Sequence, residues 1–321
     1  MICSPSVRTM ILNPVLLLRR RILIRSDVDY FNKMCYYNDE VILMSNFKNE
    51  DYIEILTDCV HDVFYTNTSY RGKIAQIRMY SEIIVRKLID YPPKKQLTIG
   101  KHEILDTLEK LPYGSSFKKC VIAIKDDTAN YVGANSCSHS KALQAITESD
   151  YDCIYNHFLE LLSCVFVQFF SKNKFGNNPK TTRLFSLLPP IVRYYTLKML
   201  YEEEKDNPTL IEKFALVTLK EYGEKEAIEW IESEKENLKS IPSWLGTMYE
   251  WAYSKAKSKI KATYKTMEEA KAYFEYNKKT FIKDSDSEVQ DLLKLMDFVY
   301  IGRQEDKNME PKEYVVNFYD K

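Results

Sequence analysis

Glycine and proline are scarce here: 321 residues hold 8 Gly and 11 Pro. Hairpin turns need residues that accept φ > 0, and phosphate-cradling loops need glycine so that the backbone can approach its ligand. So few of them argue against a sheet-rich chain and against a Rossmann, P-loop or α/β-hydrolase enzyme. They argue for long helices with few turns. Surplus charge is missing too, since 46 basic residues are matched by 46 acidic ones. Duplex-DNA binding therefore gets no support from bulk charge, and only a local basic patch would supply it. No Cys-x-x-Cys occurs among the seven cysteines, Cys3, Cys35, Cys59, Cys120, Cys137, Cys153 and Cys164. Their odd number and their spacing read as reduced thiols of a cytoplasmic protein, not as a disulfide framework or a zinc cage.

Near the N-terminus the apolar stretches Val15–Leu18 and Ile22–Ile24 are divided by Arg19, Arg20 and Arg21. Neither approaches the ~20 residues of a membrane span, so no transmembrane segment is expected there. Five arginines and no acid precede Asp27. Residues 1–44 are read either as an amphipathic targeting or membrane-surface segment or as an upstream extension, with the functional start at Met34 or Met44.

What is present is helical periodicity. Hydrophobic residues make up 45% and charged residues 29%, ordinary proportions for a globular chain. The length exceeds the usual ~100–200 residues of one domain. Ile53, Leu56, Val60 and Val63 recur at helical spacing from Asn49 on, and Ile74, Ile77, Ile84 and Leu88 stripe a longer helix over 70–88. Arg78, Glu82 and Arg86 share its outer face as an i,i+4 ladder. Shorter helices are expected over 100–111 and 116–125, then an irregular stretch over 126–141. Ser149-Asp150 opens the cleanest helix, whose Ile154, Phe158, Leu161, Leu162, Val165, Phe166 and Phe169 form a wide apolar face. The segment Lys172–Pro179 reads as an interdomain linker. Beyond it helices are expected over 191–201, 209–222, 224–239, 243–262, 266–280 and 286–300, with Tyr314–Tyr319 as a short strand or tail. The expected fold is all-α: residues 45–175 as one helical bundle and 180–321 as a second helical domain.

The loop Gly133-Ala134-Asn135-Ser136-Cys137-Ser138-His139, following two long and two short helices and preceding a long apolar one, carries a resemblance. The segment from about 48 to 172 resembles the HEPN superfamily of small helical bundles, within it the uncharacterised branch with a Gly-Asn-x-x-x-His loop. That branch also tends to carry an Arg followed by a Glu on its second helix, which Arg78 and Glu82 match. The resemblance implies RNA as the target, a metal-independent endoribonuclease, a homodimer with two motifs facing one cleft, and a role in a defence or toxin system. It implies no cofactor and no metal. His139 would transfer a proton near neutral pH. Arg78 would stabilise charge on the attacked phosphate, and Asn135 would hold the imidazole or contact phosphate. The family's Arg a few residues before the His is missing, for Ala134 and Gly133 stand there. The nearest upstream cations are Lys125, Lys119 and Lys118, which would contact nucleic acid or another anion without the planar fork of arginine.

Other readings compete. A non-catalytic HEPN-like dimerisation or protein-interaction module fits the neutral charge, with the C-terminal helices binding a partner protein. A nucleotide or small-molecule sensor would use Arg78 and the loop as an anion pocket. Trp244, Met248 and Trp251 fall at i, i+4 and i+7 and read as one helix face. Asp58, His61 and Asp62, and Asp150, Asp152, Cys153 and His157, lack a recognised metal spacing.

Overall fold

A computed structural model describes residues 35–37, 40–42, 46–126, 132–138 and 145–312. The chain divides into two compact units, Met1–Asn46 and Phe47–Lys321. In the first, β1 (Cys35–Tyr37) pairs antiparallel with β2 (Glu40–Ile42), placing Cys35 opposite Ile42.

Among its described residues the second unit is all-α apart from one hairpin of two two-residue strands. Its helices are α1 (Ile53–Val60), α2 (Tyr70–Leu88), α3 (His102–Glu109), α4 (Gly114–Lys125), α5 (Ala134–Ser138), α6 (Glu148–Lys172), α7 (Pro179–Phe185), α8 (Pro190–Glu203), α9 (Pro208–Glu221), α10 (Glu224–Ser233), α11 (Lys235–Ser240), α12 (Met248–Ala256), α13 (Met267–Lys278) and α14 (Ser287–Val299). A 3-10 turn, Asn49–Tyr52, leads into α1, and a π-helical turn, His61–Tyr65, continues from it. Helix α2 begins and ends where its apolar stripe does. Ser69 caps it by accepting the Gly72 N–H, and Ile74, Ile77, Ile84 and Leu88 are buried.

Helix α6 organises the unit. Its capping box joins Thr147 and Asp150, so Asp150 acts at the third helical position, not as the cap itself. From Phe158 to Val167 only Glu160 escapes full burial. A helix apolar on nearly every side needs neighbours all round, and α2, α4, α8 and α14 supply them. Its composition and length would also suit a membrane span, but 67% of that window is buried inside the protein. Small hydroxyl residues let α6 and α8 approach closely: Ser163 Oγ donates to Val192 O at 3.1 Å, and Thr196 Oγ1 to Ser163 O at 3.5 Å. Cys164 and Cys120 touch at 3.8 Å between α6 and α4, and Cys59, Cys120, Cys137, Cys153 and Cys164 are free thiols.

The segment Lys172–Pro179, expected as a linker, is a turn within this one unit. Phe175 is buried against Phe170 and Phe185, with ring centroids 4.9 and 5.7 Å away. The Asn207 side chain donates to Phe175 O at 3.2 Å. Other departures are local. The stretch 126–141 contains the short helix α5. The helix expected over 224–239 breaks at Glu234. The one expected over 243–262 begins only at Met248, where Thr247 and Glu250 form a capping box, and ends at Ala256. The segment ahead of it, Pro242–Thr247, is a hairpin of β3 (Pro242–Ser243) and β4 (Gly246–Thr247). Tyr314–Tyr319 lies outside the described residues.

A buried arginine fastens the last turn of the unit to its first helices. Arg303 follows Gly302, whose φ is +72° and whose Cα faces Thr57 and Val60 of α1 with no room for a Cβ. The Arg303 guanidinium lies over the Phe64 ring, 3.6 Å from its centroid, and its Nη1 is 3.4 Å from Glu268 Oε1. Tyr65 donates to the same carboxylate oxygen at 2.7 Å and accepts the Gln304 N–H at 3.0 Å.

Phe166 is fully buried between α6 and α7, its ring edge-on to Phe185 at 5.9 Å. Phe166→Ala should cost about 3–5 kcal/mol. In urea, near- and far-ultraviolet circular dichroism should still move together. Separate transitions for 45–175 and 180–321 would restore the two-domain reading.

Candidate functional site

The residues singled out by sequence fall on α2, α4 and α5, and the fold gathers these three helices. Helix α5 packs on both α2 and α4. Gly133 starts it in direct contact with the carbonyls of Lys125 and Asp126, where a Cβ would collide with backbone. Gly100, at φ +85°, lies under the Lys125 side chain, and the neighbouring Ile99 N–H faces the Glu82 carboxylate. A continuous path of contacts thus runs from Arg78 through Glu82, Ile99, Gly100 and Lys125 to Gly133 and the Asn135 helix. The helix that carries Arg78 thus packs against the helix that carries Asn135.

The electrostatics of this neighbourhood are close to neutral. Arg78 Nη2 is 3.4 Å from Glu82 Oε1, with 15% of the Arg and 24% of the Glu side chain exposed. Lys125 Nζ is 2.9 Å from Asp126, and Lys118 Nζ is 2.7 Å from Glu109. Lys119 is exposed and is the one of these four cations without an ion pair among the described residues. The expected ladder is half formed. Arg86 turns away from Glu82 to donate to Pro92 O at 2.9 Å and Lys95 O at 2.8 Å, closing the end of α2. One donor stays free: the Arg78 Nε is buried with no hydrogen-bond partner.

Asn135 is half-buried, Ser136 and Cys137 are buried, and Ser138 Oγ bonds back to Ala134 O at 2.9 Å. Burial takes the Cys137 thiol away from solvent. His139 lies outside the described residues. Among the described residues no cluster of three or more His, Cys, Asp or Glu is placed to hold a metal ion. His61 sits 3.7 Å from Asp62 and His157 3.7 Å from Glu160.

The clearest surface feature lies elsewhere. Trp244 and Leu245 form the tip of the β3–β4 hairpin, 75% and 47% exposed. The three-residue helix face expected for Trp244, Met248 and Trp251 does not form, because Trp244 precedes the helix. Its ring meets Trp251 edge-on instead, at 5.4 Å. Beside it a groove of about 200 Å³ is lined by Pro208, Thr209, Glu212, Pro242, Met248 and Trp251. Trp251 Nε1 donates to Glu212 at 3.2 Å, and the Lys255 ammonium sits over the Trp251 ring at 4.2 Å. The sequence held a signal for this hairpin: Pro242, Gly246 and the Thr247-x-x-Glu250 box delimit a turn before a helix. For Arg303 it held none, since a lone arginine after a glycine looks like surface.

Compared with protein-family models, with curated proteins and with solved structures, the chain matches none of them.

Burial raises the Glu82 carboxyl above its ordinary range, and Arg78, the Ile99 N–H and Arg86 draw it part of the way back. A folded-state pKa above the unfolded one means the folded chain binds that proton more tightly. The contribution of Glu82 to stability therefore falls as pH rises from the ordinary carboxylate range through the raised value, then levels. Glu82→Gln fixes the neutral form. Its stability relative to the parent should climb across that interval, as read by denaturant titrations at about pH 4 and about pH 8. A relative stability that drops with pH would show that the Arg78 attraction outweighs desolvation.

Proposed function

We propose that this chain is a non-catalytic, HEPN-like helical interaction module whose partner-binding surface is the Trp244–Leu245 hairpin. One observation carries the reading. Three of the four cations that would grip RNA phosphates are matched within the chain by carboxylates, Arg78 by Glu82, Lys125 by Asp126 and Lys118 by Glu109, which leaves Lys119 alone among the described residues. A phosphate would have to displace each carboxylate before gaining the same charge. At the hairpin the balance is reversed. An indole and a leucine stand in water beside a groove of mixed polarity, and buried aromatics are prominent among the residues that carry the energy of protein interfaces. The partner would be a protein that inserts an apolar side chain between Trp244 and the Pro208–Pro242 wall. A homodimer, which the HEPN resemblance implies, would use Ile53 and Ile55 of α1 and Met79 of α2, which are exposed.

Ribonuclease activity is the second reading, favoured by the α2–α5 packing and by the free Nε of Arg78. There His139 would move the proton, Arg78 would hold the phosphate, and Asn135 would orient either one.

A paired experiment separates the two. Purified chain is incubated with RNA in EDTA beside its His139→Ala variant, and random peptides are selected on the parent and on Trp244→Ser. The module reading predicts equal RNA recovery for both proteins and an apolar-anchored peptide family retained only by the parent. Metal-independent cleavage lost in His139→Ala, with no Trp244-dependent peptide, would reverse the order.

A further inference from the structure

A net charge of zero hides one local excess. Between Glu250 and Glu268 the chain carries Lys255, Lys257, Lys259, Lys261 and Lys265 and no Asp or Glu. Over 220–239, by contrast, lysines and glutamates are interleaved along helix faces, the usual pattern of a solvated helix. The basic run also leaves the helix. Helix α12 ends at Ala256 and α13 begins at Met267, so all but Lys255 lie in the connection between them.

Both ends of this connection are fixed. Lys255 sits over the Trp251 ring at 4.2 Å and lies 3.9 Å from Glu212, and Lys257 Nζ is 2.6 Å from Glu224. At the far end Tyr264 is buried, with its hydroxyl donating to Ser186 O and its ring 5.0 Å from Tyr273. Lys265, just beyond, places its charge on Glu221. Between these anchors Lys259, Ile260 and Lys261 are all exposed, and neither lysine has an ion pair among the described residues. Ile260 leaves 39% of its surface in water. Lys259 holds a φ of +56°, a left-handed conformation that Gly or Asn adopts at least cost. A turn shaped by folding alone favours glycine there, and this one keeps a lysine.

An isoleucine held in water between two unmatched cations has a chemical complement. A nucleic-acid backbone would engage the lysines and leave Ile260 unused. An anionic bilayer takes both, because its headgroups attract the ammonium groups and its acyl boundary accepts the aliphatic side chain. The long lysine stems let the charges stay at headgroup level while the apolar residue goes deeper. We propose that the 257–265 connection docks this chain on an anionic membrane surface, with Ile260 at the acyl boundary and Lys259 and Lys261 on the headgroups. One apolar side chain and a few cations give a peripheral, reversible contact, not an anchor. The proposal does not depend on the Trp244 hairpin or on the Asn135 loop.

Cosedimentation of the full chain with phosphatidylcholine–phosphatidylserine vesicles, beside vesicles of phosphatidylcholine alone, tests it. Binding is expected to the anionic vesicles only, and it should weaken as added salt screens the charges. Lys259→Gln and Lys261→Gln should each lower the partition coefficient about fivefold, and Ile260→Ser about tenfold. Lys259→Gly should bind as weakly as Lys259→Gln, while its Tm equals or exceeds that of the parent. Trp244→Ser should bind as the parent does. The proposal fails if the anionic vesicles hold no more protein than the neutral ones. It fails too if the three loop variants bind like the parent, which would place the contact elsewhere on the chain. Binding of a single-stranded RNA oligonucleotide that is lost in the lysine variants and kept in Ile260→Ser, without vesicle binding, would assign the run to nucleic acid instead.

Discussion

The stretch from Phe158 to Val167 of helix α6 has scarcely any polar face and cannot be left in water, and the rest of the unit is arranged to enclose it. Helices α2 and α4 cover α6 from the N-terminal side of the sequence, and α8 and α14 from the C-terminal side. Phe158, Leu161, Leu162, Val165 and Phe166 are each at 3% exposure or less, so neither set of helices buries them alone. Two separate domains would leave part of that surface open to solvent, at a cost of about 25 cal/mol per Å². The same requirement explains why the turn after α6 is pinned by Phe175 and Asn207. Arg303 adds a polar fastening to an apolar joint: it ties the turn after α14 to the end of α1 through Phe64, Tyr65 and Glu268.

Within this frame the loop singled out by sequence is built more as a joint than as an open cleft. Gly100 and Gly133 are small because the Lys125 stem and the end of α4 press against them. Arg78 on α2 and Lys125 on α4 each keep a carboxylate beside them. Neutralising both cations within the fold stabilises the helix contacts and leaves little field to draw a polyanion. The hairpin carries the opposite signature, apolar surface held out on a rigid turn, and that contrast underlies the assignment of partner binding to Trp244.

Much of the fold was legible because it follows from local pattern. The stripe Ile74, Ile77, Ile84 and Leu88 gave α2 its full extent, and the alternation of apolar positions from Ile154 onward gave α6. What escaped depends on contacts between distant residues. Phe175 looked like part of a polar linker because its partners, Phe170 and Phe185, flank it on separate helices. The Arg78–Glu82–Arg86 ladder has equal spacing, yet the free carbonyls after Pro92 take Arg86 away. Trp244, Met248 and Trp251 have helical spacing too, but the box at Thr247 and Glu250 starts the helix too late to include the first. Arg303 gave no signal in the sequence either, because its partners Phe64 and Glu268 come from distant elements.

The account turns on charge being cancelled within the chain, and removing the cancelling groups tests it most directly. Affinity for single-stranded RNA would be measured across a salt series for the parent and for a variant carrying Glu82→Gln and Asp126→Asn. Cancellation predicts no salt-sensitive binding by the parent and new binding by the variant, its log–log slope close to about −0.7 for each freed cation. A parent that already binds with such a slope, unchanged in the variant, would contradict it and return the Arg78 face to RNA.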